Sequence, residues 1–377
     1  MERTSPLRPP PEYTKLRKEN PISKAKIWDG SLVWLITRHN DVHTVLIDPR
    51  FSKAAARATK PTFVDMDPPE HTRHRGMVEQ DFTIEKIESM RPQIQQIVDQ
   101  VIDNMINNLT QPVDLVASFA MSVPTLIIYK ILGIPYEDHE FLHKCNSIRT
   151  NGSATSAEAS DASKDLMDYL GRLVTKKARE PSNDIISRLV TEQVRTGQLT
   201  HEELTAMSFL LLVAGNATTA NMIALGILTL LQHPDQLAEL RQTPSLIYDA
   251  VEEILRYLTG SQFATRRVAI EDVEVGGTLI KKGEGVWALN ASANDDESIF
   301  SNPTQFNIHR KPNPHLSFGD GIHICVAQHL ARAEIQIAIA TLIRRLPNLQ
   351  LAISLDQIHY VTDSSRDYAV TNLPIKW

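Results

Sequence analysis

Cysteine is nearly absent from this 377-residue sequence, which contains only Cys145 and Cys325. A secreted fold held together by disulfides needs a denser set of cysteines, so that class is excluded and each cysteine requires its own explanation. Positive charge is not in excess either, because 39 lysines and arginines face 45 acidic residues, for a formal net charge of −6. A protein that binds nucleic acid non-specifically is normally basic, so we expect no nucleic-acid partner.

Several kinds of segment are also missing. Residues 1–23 contain no apolar run typical of a signal peptide, and we expect a cytoplasmic protein, with the mitochondrion as the alternative compartment. No internal repeat and no Gly/Ser-rich or Pro-rich linker divides the sequence, so we expect a single domain over residues 1–377. Burial increases with chain length, and a domain of this size can enclose a cofactor.

The most apolar stretch covers residues 209–231 and is long enough to cross a bilayer. Polar residues interrupt its centre: Asn216, Thr218, Thr219 and Asn221. We therefore expect this stretch to be a buried helix inside a large domain, and we expect no membrane partner.

Helical periodicity predominates along the sequence. Thr200 and Glu203 have the spacing of a capping box, which predicts the start of the apolar helix, and Pro234 marks its end. Further helices are predicted at residues 84–109, 235–240, 245–258 and 326–346. Short strands are predicted at residues 26–37, in a hairpin within 264–280, and in the tail at 349–353 and 360–370. This pattern predicts a fold that is mainly α with a small β region.

The most informative segment is 318–332, Phe-Gly-Asp-Gly-Ile-His-Ile-Cys-Val-Ala-Gln-His-Leu-Ala-Arg. Gly319 and Gly321 allow the backbone to approach a flat, bulky group. Cys325 comes directly before the last predicted helix, whose free N–H groups and positive end would stabilise a thiolate. One thiolate without a second cysteine nearby suits haem iron better than an iron–sulfur cluster.

Three other interpretations of this segment compete with a haem site. Cys325 taken alone is compatible with an inert, buried cysteine. His323, Cys325 and His329 would form a zinc site, but their spacing matches no common zinc pattern. Gly319 and Gly321 suggest a dinucleotide-binding loop, but Ile324 stands where the third glycine belongs and no strand leads into the segment.

The whole segment resembles the haem-binding signature of the cytochrome P450 family, Phe-x-x-Gly-x-His/Arg-x-Cys. Phe318, Gly321, His323 and Cys325 match it position for position, whereas Ala327 replaces the glycine that usually follows the cysteine by two residues. The resemblance implies the cytochrome P450 fold and a haem b whose iron is ligated by the Cys325 thiolate, with His323 beside it.

Other segments extend the resemblance over nearly the whole chain. Glu253 and Arg256 resemble the family's Glu-x-x-Arg pair, and on a helix their spacing allows an ion pair. Residues 67–75 resemble the segment that starts a helix beside the haem. A buried haem edge with two carboxylates needs cations. The resemblance implies that the propionates are held by His71, Arg75 and Arg267.

Residues 214–219 place glycine and polar side chains inside an apolar helix, where they cost stability. One interpretation is a helix–helix contact in which the threonines are satisfied. The resemblance implies instead a locally opened helix above the iron, in which Thr218 holds water or another proton source. In the monooxygenase branch of the family an acidic residue usually precedes this threonine, and here that residue is Ala217. Since cleavage of an O–O bond needs protons, we expect a chemistry other than hydroxylation.

Four blocks resemble one branch of the family, the fungal nitric oxide reductases. They are residues 61–67, 148–153, 210–226 and 232–237. Members of that branch reduce two molecules of nitric oxide to nitrous oxide and take a hydride directly from NADH or NADPH at the haem. The resemblance implies nitric oxide and NAD(P)H as partners and no separate redox partner. Because the sequence has no Rossmann glycine fingerprint, the nicotinamide would have to enter the haem pocket itself.

The resemblance to this branch also implies roles for single residues. Proton delivery is assigned to Thr218, Ser261 and Asp367. The cofactor-binding residues at the nucleotide entrance are Lys53 and Arg149, with the acidic Asp65 near the same pocket. Segment 52–61 departs from the branch because it is shorter, and Ala55 stands where a second basic residue is expected. The local cations are then Lys53, Arg57 and Lys60, which leaves the choice between NADH and NADPH open.

The sequence thus supports three functions. Ala217 and the four blocks favour nitric oxide reduction with direct use of the nucleotide. The shortened 52–61 segment favours a monooxygenase fed by ferredoxin-type partners. A third possibility is a haem protein that binds nitric oxide without nucleotide-dependent turnover.

Overall fold

A computed structural model describes residues 1, 3, 7–27, 29–56, 62–150, 155–261, 265–361 and 369–377. Three residues with predicted roles, Arg57, Lys60 and Asp367, lie outside the described residues. The side chain of Arg149 is also outside the description, although its backbone belongs to a helix. Parts of the segments 61–67, 148–153, 264–280 and 360–370 lie outside it as well.

Helices make up most of the described structure. They are α1 Pro11–Glu19, α2 His39–Ile47, α3 Glu70–Glu79, α4 Ile84–Asn108, α5 Ser122–Leu132, α6 His139–Thr150, α7 Ser156–Arg179, α8 Ile185–Leu189, α9 His201–Ala214, α10 Ala217–Leu231, α11 Pro234–Gln242, α12 Ile247–Leu258, α13 Asn290–Ala293 and α14 Gln328–Arg345. The predicted capping box starts α9, since Glu203 N donates to Thr200 Oγ1 at 3.1 Å and Thr200 N donates to Glu203 Oε2 at 2.8 Å.

The strands are short. They are β1 Ile22–Lys26, β2 Leu32–Ile36, β3 Phe51–Ser52, β4 Val113–Asp114, β5 Arg266–Ala269, β6 Val273–Val275, β7 Thr278–Ile280, β8 Gly285–Ala288, β9 Gln350–Leu351, β10 Tyr360–Val361, β11 Ala369–Val370 and β12 Pro374–Lys376. The largest sheet has the order β1-β2-β8-β5-β3, in which only β2 and β8 pair in parallel. The predicted hairpin is formed by β6 and β7. A mainly α fold with a small β region is therefore confirmed.

Several boundaries differ from the sequence prediction, and two of them have a local explanation. Residues 26–37 were expected to start a strand at Lys26, but β1 ends there and β2 is a separate strand that pairs with it. The polar sequence Ile-Ser-Lys-Ala-Lys of β1 has no strong strand signal, and pairing with β2 stabilises it. The last long helix begins at Gln328 rather than at residue 326, because residues 326 and 327 form a turn.

The core is built where α10 packs against α12 and α14. Gly226 of α10 allows this close approach, since an added Cβ would lie 3.1 Å from Ile254 of α12 and 3.2 Å from Ile339 of α14. Apolar side chains of all three helices belong to one buried cluster. This packing fixes α10, the second half of the apolar stretch, beside α14, the helix that follows Cys325.

The apolar stretch is divided by a break at Gly215 and Asn216, between α9 and α10. Together the span His201–Leu231 is long and apolar enough to cross a membrane by length and composition, but 61% of its most apolar window is buried inside the fold. This burial is what the interrupted sequence predicts for a core helix.

Candidate functional site

The segment that carries Cys325 is a tight loop. Its ends are joined by a hydrogen bond from Cys325 N to Phe318 O at 2.9 Å. Asp320 starts a single 3₁₀ turn over Gly321–His323 by accepting a hydrogen bond from Gly321 N at 2.7 Å. Gly321 has φ +68°, and an added Cβ would lie only 2.9 Å from the carbonyl oxygen of Leu46. Only glycine fits there, because the loop turns in the left-handed region against α2.

Gly319 also has a positive φ, +73°, but its surroundings differ from those of Gly321. An added Cβ would meet a single atom within 4 Å, the His323 carbonyl oxygen at 3.9 Å. This part of the loop therefore presents bare backbone to open space, which suits the approach of a flat group.

Cys325 is the only one of the two cysteines that is not fully buried. Burial of its thiol raises the pKa, while the Ala327 N–H and the charges of Arg75 and Arg332 act in the opposite direction. Helix α14 starts three residues after Cys325, and the Ala327 N–H just before that helix is the backbone donor that faces the sulfur. The thiolate itself stays a prediction.

Lysine, arginine and histidine side chains collect beside the cysteine loop; we refer to Lys53, His71, Arg75, Arg267 and His323 as the cation cluster, in which the lysine and the two arginines carry the charge. The rings of His71 and His323 pack edge to face with centroids 4.4 Å apart. Arg75 Nη1 donates to the carbonyl oxygen of Ile324 at 2.7 Å, which ties α3 to the residue before the cysteine. Arg267 is buried on β5.

The electrostatics of the cluster confirm that these groups lie close together. Burial and then the charges of Arg267, His71, Lys53 and Arg75 lower the pKa of His323 to about 3. Burial lowers the pKa of Arg267 to about 10, against the attraction of Asp67. His323 is therefore neutral at physiological pH, whereas Arg267 remains charged.

Asp67 organises one edge of the cation cluster. It accepts hydrogen bonds from Lys53 N at 3.0 Å and from the Ser52 hydroxyl. Strand β3 pairs with β5 so that Ser52 faces Val268. Lys53 directly follows β3, and the antiparallel register continued by one residue places it opposite Arg267.

These residues fit a haem. Both ring nitrogens of the buried His71 have no hydrogen-bond partner among the described residues. Unsatisfied donors beside Arg267 call for an acceptor with negative charge, such as a propionate. The bare backbone at Gly319 leaves room for a flat ring, and the free thiol of Cys325 is the ligand that the iron of a haem-thiolate site requires.

The break in the apolar stretch is held by side chains. Asn216 Oδ1 lies 2.9 Å from Thr125 Oγ1 of α5 in a buried contact. Thr218, in the first turn of α10, donates from Oγ1 to the carbonyl oxygen of Ala214 at 3.1 Å. The helix is interrupted at residues 215–216, as the family resemblance implied, and the Thr218 hydroxyl is satisfied, as the alternative interpretation expected; the position of this break above the iron stays a prediction.

Ser261 is brought to the same helix. An added Cβ on Gly260 would lie 3.3 Å from Cγ of Met222, so the segment that carries Ser261 rests on α10. Met222 and Thr218 are one turn apart and share a face of that helix. The segment that carries Ser261 thus rests on the helix that carries Thr218, whereas Asp367 is outside the described residues.

Asp65 is buried at the end of a short 3₁₀ turn, Phe63–Asp65, which packs against α3. This packing places it next to the helix that carries His71 and Arg75. Arg149 lies near the end of α6, with its side chain outside the described part of the structure.

The sequence analysis missed Arg310. Arg256 Nε and Arg310 Nε donate to Glu253 Oε2 at 2.7 and 2.9 Å, so the predicted ion pair is a buried triad. Arg310 lies in an irregular segment far from Glu253 in sequence. No helical spacing rule connects the two, and only the folded structure reveals the third member.

Comparisons with known proteins agree with this geometry. The sequence model of the family described as "Cytochrome P450" matches residues 142–243 and 245–351. The chain is 46% identical over 394 residues to cytochrome P450 55A3 of Fusarium lichenicola, covering 100% of this chain and 96% of that protein. It is 44% identical over 386 residues to cytochrome P450-SU2 of Streptomyces griseolus, with 99% and 94% coverage. The crystal structure of GfsF superposes with a TM-score of 0.95 at 42% identity, covering 100% and 99% of the two chains.

Proposed function

The chain belongs to the cytochrome P450 family and has its fold, and we propose that it is a cytoplasmic nitric oxide reductase. The proposed reaction is 2 NO + NAD(P)H + H⁺ → N₂O + NAD(P)⁺ + H₂O. The nucleotide supplies two electrons and one hydrogen as a hydride, and the protein delivers the one proton that completes the water molecule.

Ala217 carries this proposal. It is the first residue of α10, directly after the break, and it occupies the position where a monooxygenase of the family usually has an acid. A methyl group cannot accept or donate a proton, so the supply of protons that O–O cleavage requires is weakened here. Reduction of nitric oxide by a hydride needs fewer protons and no cleavage of dioxygen.

A haem bound to Cys325 would supply the site where nitric oxide and the hydride meet. The chain's own residues hold it and deliver the proton. Arg267, His71 and Arg75 face the cysteine loop with buried or half-buried donors, and we assign them to the propionates. The Thr218 hydroxyl donates its proton to the Ala214 carbonyl oxygen, and its lone pairs can accept a hydrogen bond from a water molecule. We therefore assign Thr218 to proton transfer together with Ser261 and Asp367.

The positive charge of Lys53 supports direct use of a nucleotide. The backbone N–H of Lys53 donates to Asp67 at the edge of the cation cluster, and the pyrophosphate of NAD(P)H carries the charge that a lysine attracts. We assign the pyrophosphate to Lys53 and Arg149 and place Asp65 near the same pocket. In this proposal the enzyme uses no separate redox partner.

The test is anaerobic mixing of the purified haem protein with ¹⁵N-labelled nitric oxide and NADH or NADPH, without any partner protein. We expect labelled nitrous oxide by mass spectrometry and oxidation of one nucleotide for every two molecules of nitric oxide. The Cys325→Ala variant controls for non-enzymatic reduction. If nitrous oxide forms only after a ferredoxin and its reductase are added, direct hydride transfer is ruled out.

A second candidate is a monooxygenase fed by redox partners. It is favoured by relatives named pentalenic acid synthase of Streptomyces avermitilis and vitamin D3 dihydroxylase of Streptomyces griseolus, which are 39% and 37% identical. This candidate predicts consumption of dioxygen and of reducing equivalents only when a ferredoxin system is present, and no nitrous oxide from NADH alone.

A further inference from the structure

A polar network lies behind the loop that carries Cys325, outside the cation cluster. Glu252 of α12 accepts two hydrogen bonds from Arg332 of α14, from Nε to Oε1 at 2.7 Å and from Nη2 to Oε2 at 3.0 Å. His315 Nε2 lies 3.0 Å from Glu252 Oε2. The motifs described above include neither Glu252 nor His315. The network therefore joins two core helices to the approach of the cysteine loop.

The network pairs one carboxylate with one guanidinium. Ser317 N donates to His315 Nδ1 at 3.3 Å, and His315 Nε2 donates to Glu252 Oε2. Burial would raise the pKa of the Glu252 carboxyl, but the hydrogen bonds from His315 and Arg332 outweigh it and lower the pKa to about 2. The Glu252 carboxylate thus balances the charge of Arg332 at neutral pH.

Phe318 connects this network to the cysteine. The guanidinium carbon of Arg332 lies 4.5 Å from the centre of the Phe318 ring, a cation–π contact. The Phe318 carbonyl accepts the hydrogen bond of Cys325 N at 2.9 Å. The side chains of Arg332 and Glu252 are 23% and 30% exposed, so water screens the pair only in part.

We propose that the Glu252–Arg332 ion pair positions the Cys325 loop and sets the reduction potential of the haem that Cys325 would ligate. Glu252 holds the guanidinium over Phe318 and cancels its charge. Both are positioning residues, since neither is argued to touch the haem. The proposal concerns the thiolate and holds for nitric oxide reduction and for oxygenation alike, so failure of the proposed function would leave it intact.

The two members of the pair must act in opposite directions. Without the Glu252 charge, an unbalanced Arg332 favours the ferrous haem, which carries one positive charge less than the ferric haem. Without the Arg332 charge, an unbalanced Glu252 favours the ferric haem. If the pair had only a structural role, the two substitutions would not shift the reduction potential in opposite directions, because each would loosen the same contacts around Phe318.

The experiment measures the ferric/ferrous midpoint potential of the holoprotein by spectroelectrochemistry at pH 8, where a histidine of ordinary pKa is neutral. At fixed potential, Glu252→Gln should raise the ferrous-to-ferric ratio at least threefold, about 28 mV at 59 mV per tenfold change. Arg332→Gln should lower the ratio by a similar factor. The double variant should return close to the wild-type value.

Asp249→Asn is the matched control. Asp249 is on the same helix α12 and pairs with Lys311 at 2.8 Å, so the variant removes the same charge without touching Phe318 or Arg332. It should leave the ratio within 1.5-fold of wild type. Shifts of equal sign in Glu252→Gln and Arg332→Gln, or shifts no larger than the control's, would overturn the proposal.

Arg332→Lys provides a second route if a neutral variant does not retain haem. It keeps the charge but loses the planar, two-bonded contact with Glu252. The midpoint potential should stay near the wild-type value while the unfolding temperature of the holoprotein falls. A potential shift as large as the one predicted for Arg332→Gln would show that charge is not the controlling quantity.

Discussion

The Thr125 hydroxyl lies 2.9 Å from the side-chain oxygen of Asn216 and 2.6 Å from the carbonyl oxygen of Met121, in the buried space between α5 and the break that separates α9 from α10. Both side chains are almost fully buried. Asn216 does not continue the helix regularly, with φ −93° and ψ −69°. The contact therefore fixes the end of the break from outside the helix, two residues before Thr218.

Thr125→Val should destabilise the protein, because it removes the hydroxyl that lies between the Met121 carbonyl oxygen and the Asn216 amide and leaves that amide buried without this partner. The expected loss is about 1–3 kcal/mol of unfolding free energy, measured by urea denaturation. Thr44→Val is the control, since the Thr44 hydroxyl bonds a helix carbonyl at the exposed surface and its loss should cost under about 0.5 kcal/mol. Equal losses in the two variants would contradict a special role for the Thr125–Asn216 contact.

Cys325→Ala should abolish the long-wavelength absorption band that a thiolate-ligated haem gives with carbon monoxide after reduction. Cys145 is buried within the main core cluster, so Cys145→Ala should keep the band. Absorption spectra of the two reduced carbonyl complexes make the comparison. Loss of the band in Cys145→Ala alone would transfer the ligand assignment to the other cysteine.

Thr218→Val keeps the side-chain volume and removes the hydroxyl that bonds Ala214 O. It should retain haem and nitric oxide binding, followed by absorption, while nitrous oxide formation with NADH slows roughly 10²–10⁴-fold, as for loss of a proton-transfer group. Asp367→Asn should act in the same direction. Unchanged turnover in both variants would remove these residues from the mechanism.

Local patterns predicted much of the fold and of the site. The capping box of Thr200 and Glu203 and the glycine loop before Cys325 depend on neighbouring residues, so the sequence alone reveals them. Contacts between distant segments stayed hidden. The bond from Arg310 to Glu253 and that from Arg332 to Glu252 join residues far apart in the chain, and no spacing rule predicts them. The polar strand β1 was missed because its partner β2 stabilises it, rather than its own composition.

Glu334 on α14 makes the stability of the protein depend on pH. It is almost fully buried, and burial raises the pKa of its carboxyl from 4.5 to about 8. Below pH 4.5 the carboxyl is protonated in both the folded and the unfolded state and costs nothing. Between these values the unfolded chain releases the proton while the folded protein keeps it, so stability falls as pH rises and the full cost is reached above pH 8.

Glu334→Gln should therefore raise the unfolding temperature, and the gain should grow from pH 5 to pH 8. Each pKa unit corresponds to about 1.4 kcal/mol, so the gain at pH 8 is on the order of a few kcal/mol. Thermal unfolding at several pH values measures it. Glu202→Gln on the exposed surface of α9 is the control, with a gain independent of pH. A Glu334→Gln gain that is equally independent of pH would show that the carboxyl does not titrate as argued.

Lys53 lies at the edge of the cation cluster, where its backbone N–H donates to Asp67. If NAD(P)H reaches the haem pocket directly, its pyrophosphate must pass the Lys53 side chain. Attraction between exposed charges is screened within about 8–10 Å at physiological ionic strength. The apparent KM for the nucleotide should therefore rise with salt and rise further in Lys53→Ala, while nitric oxide binding stays unchanged. Lys15→Ala, which removes an exposed lysine from α1, is the control and should leave the apparent KM unchanged.

Stereospecifically deuterated nucleotide should also slow turnover, because the hydride itself is transferred. A KM that responds to neither salt nor Lys53→Ala would mean that the nucleotide binds elsewhere, and absence of any isotope effect would leave hydride transfer without support and favour a separate reductase.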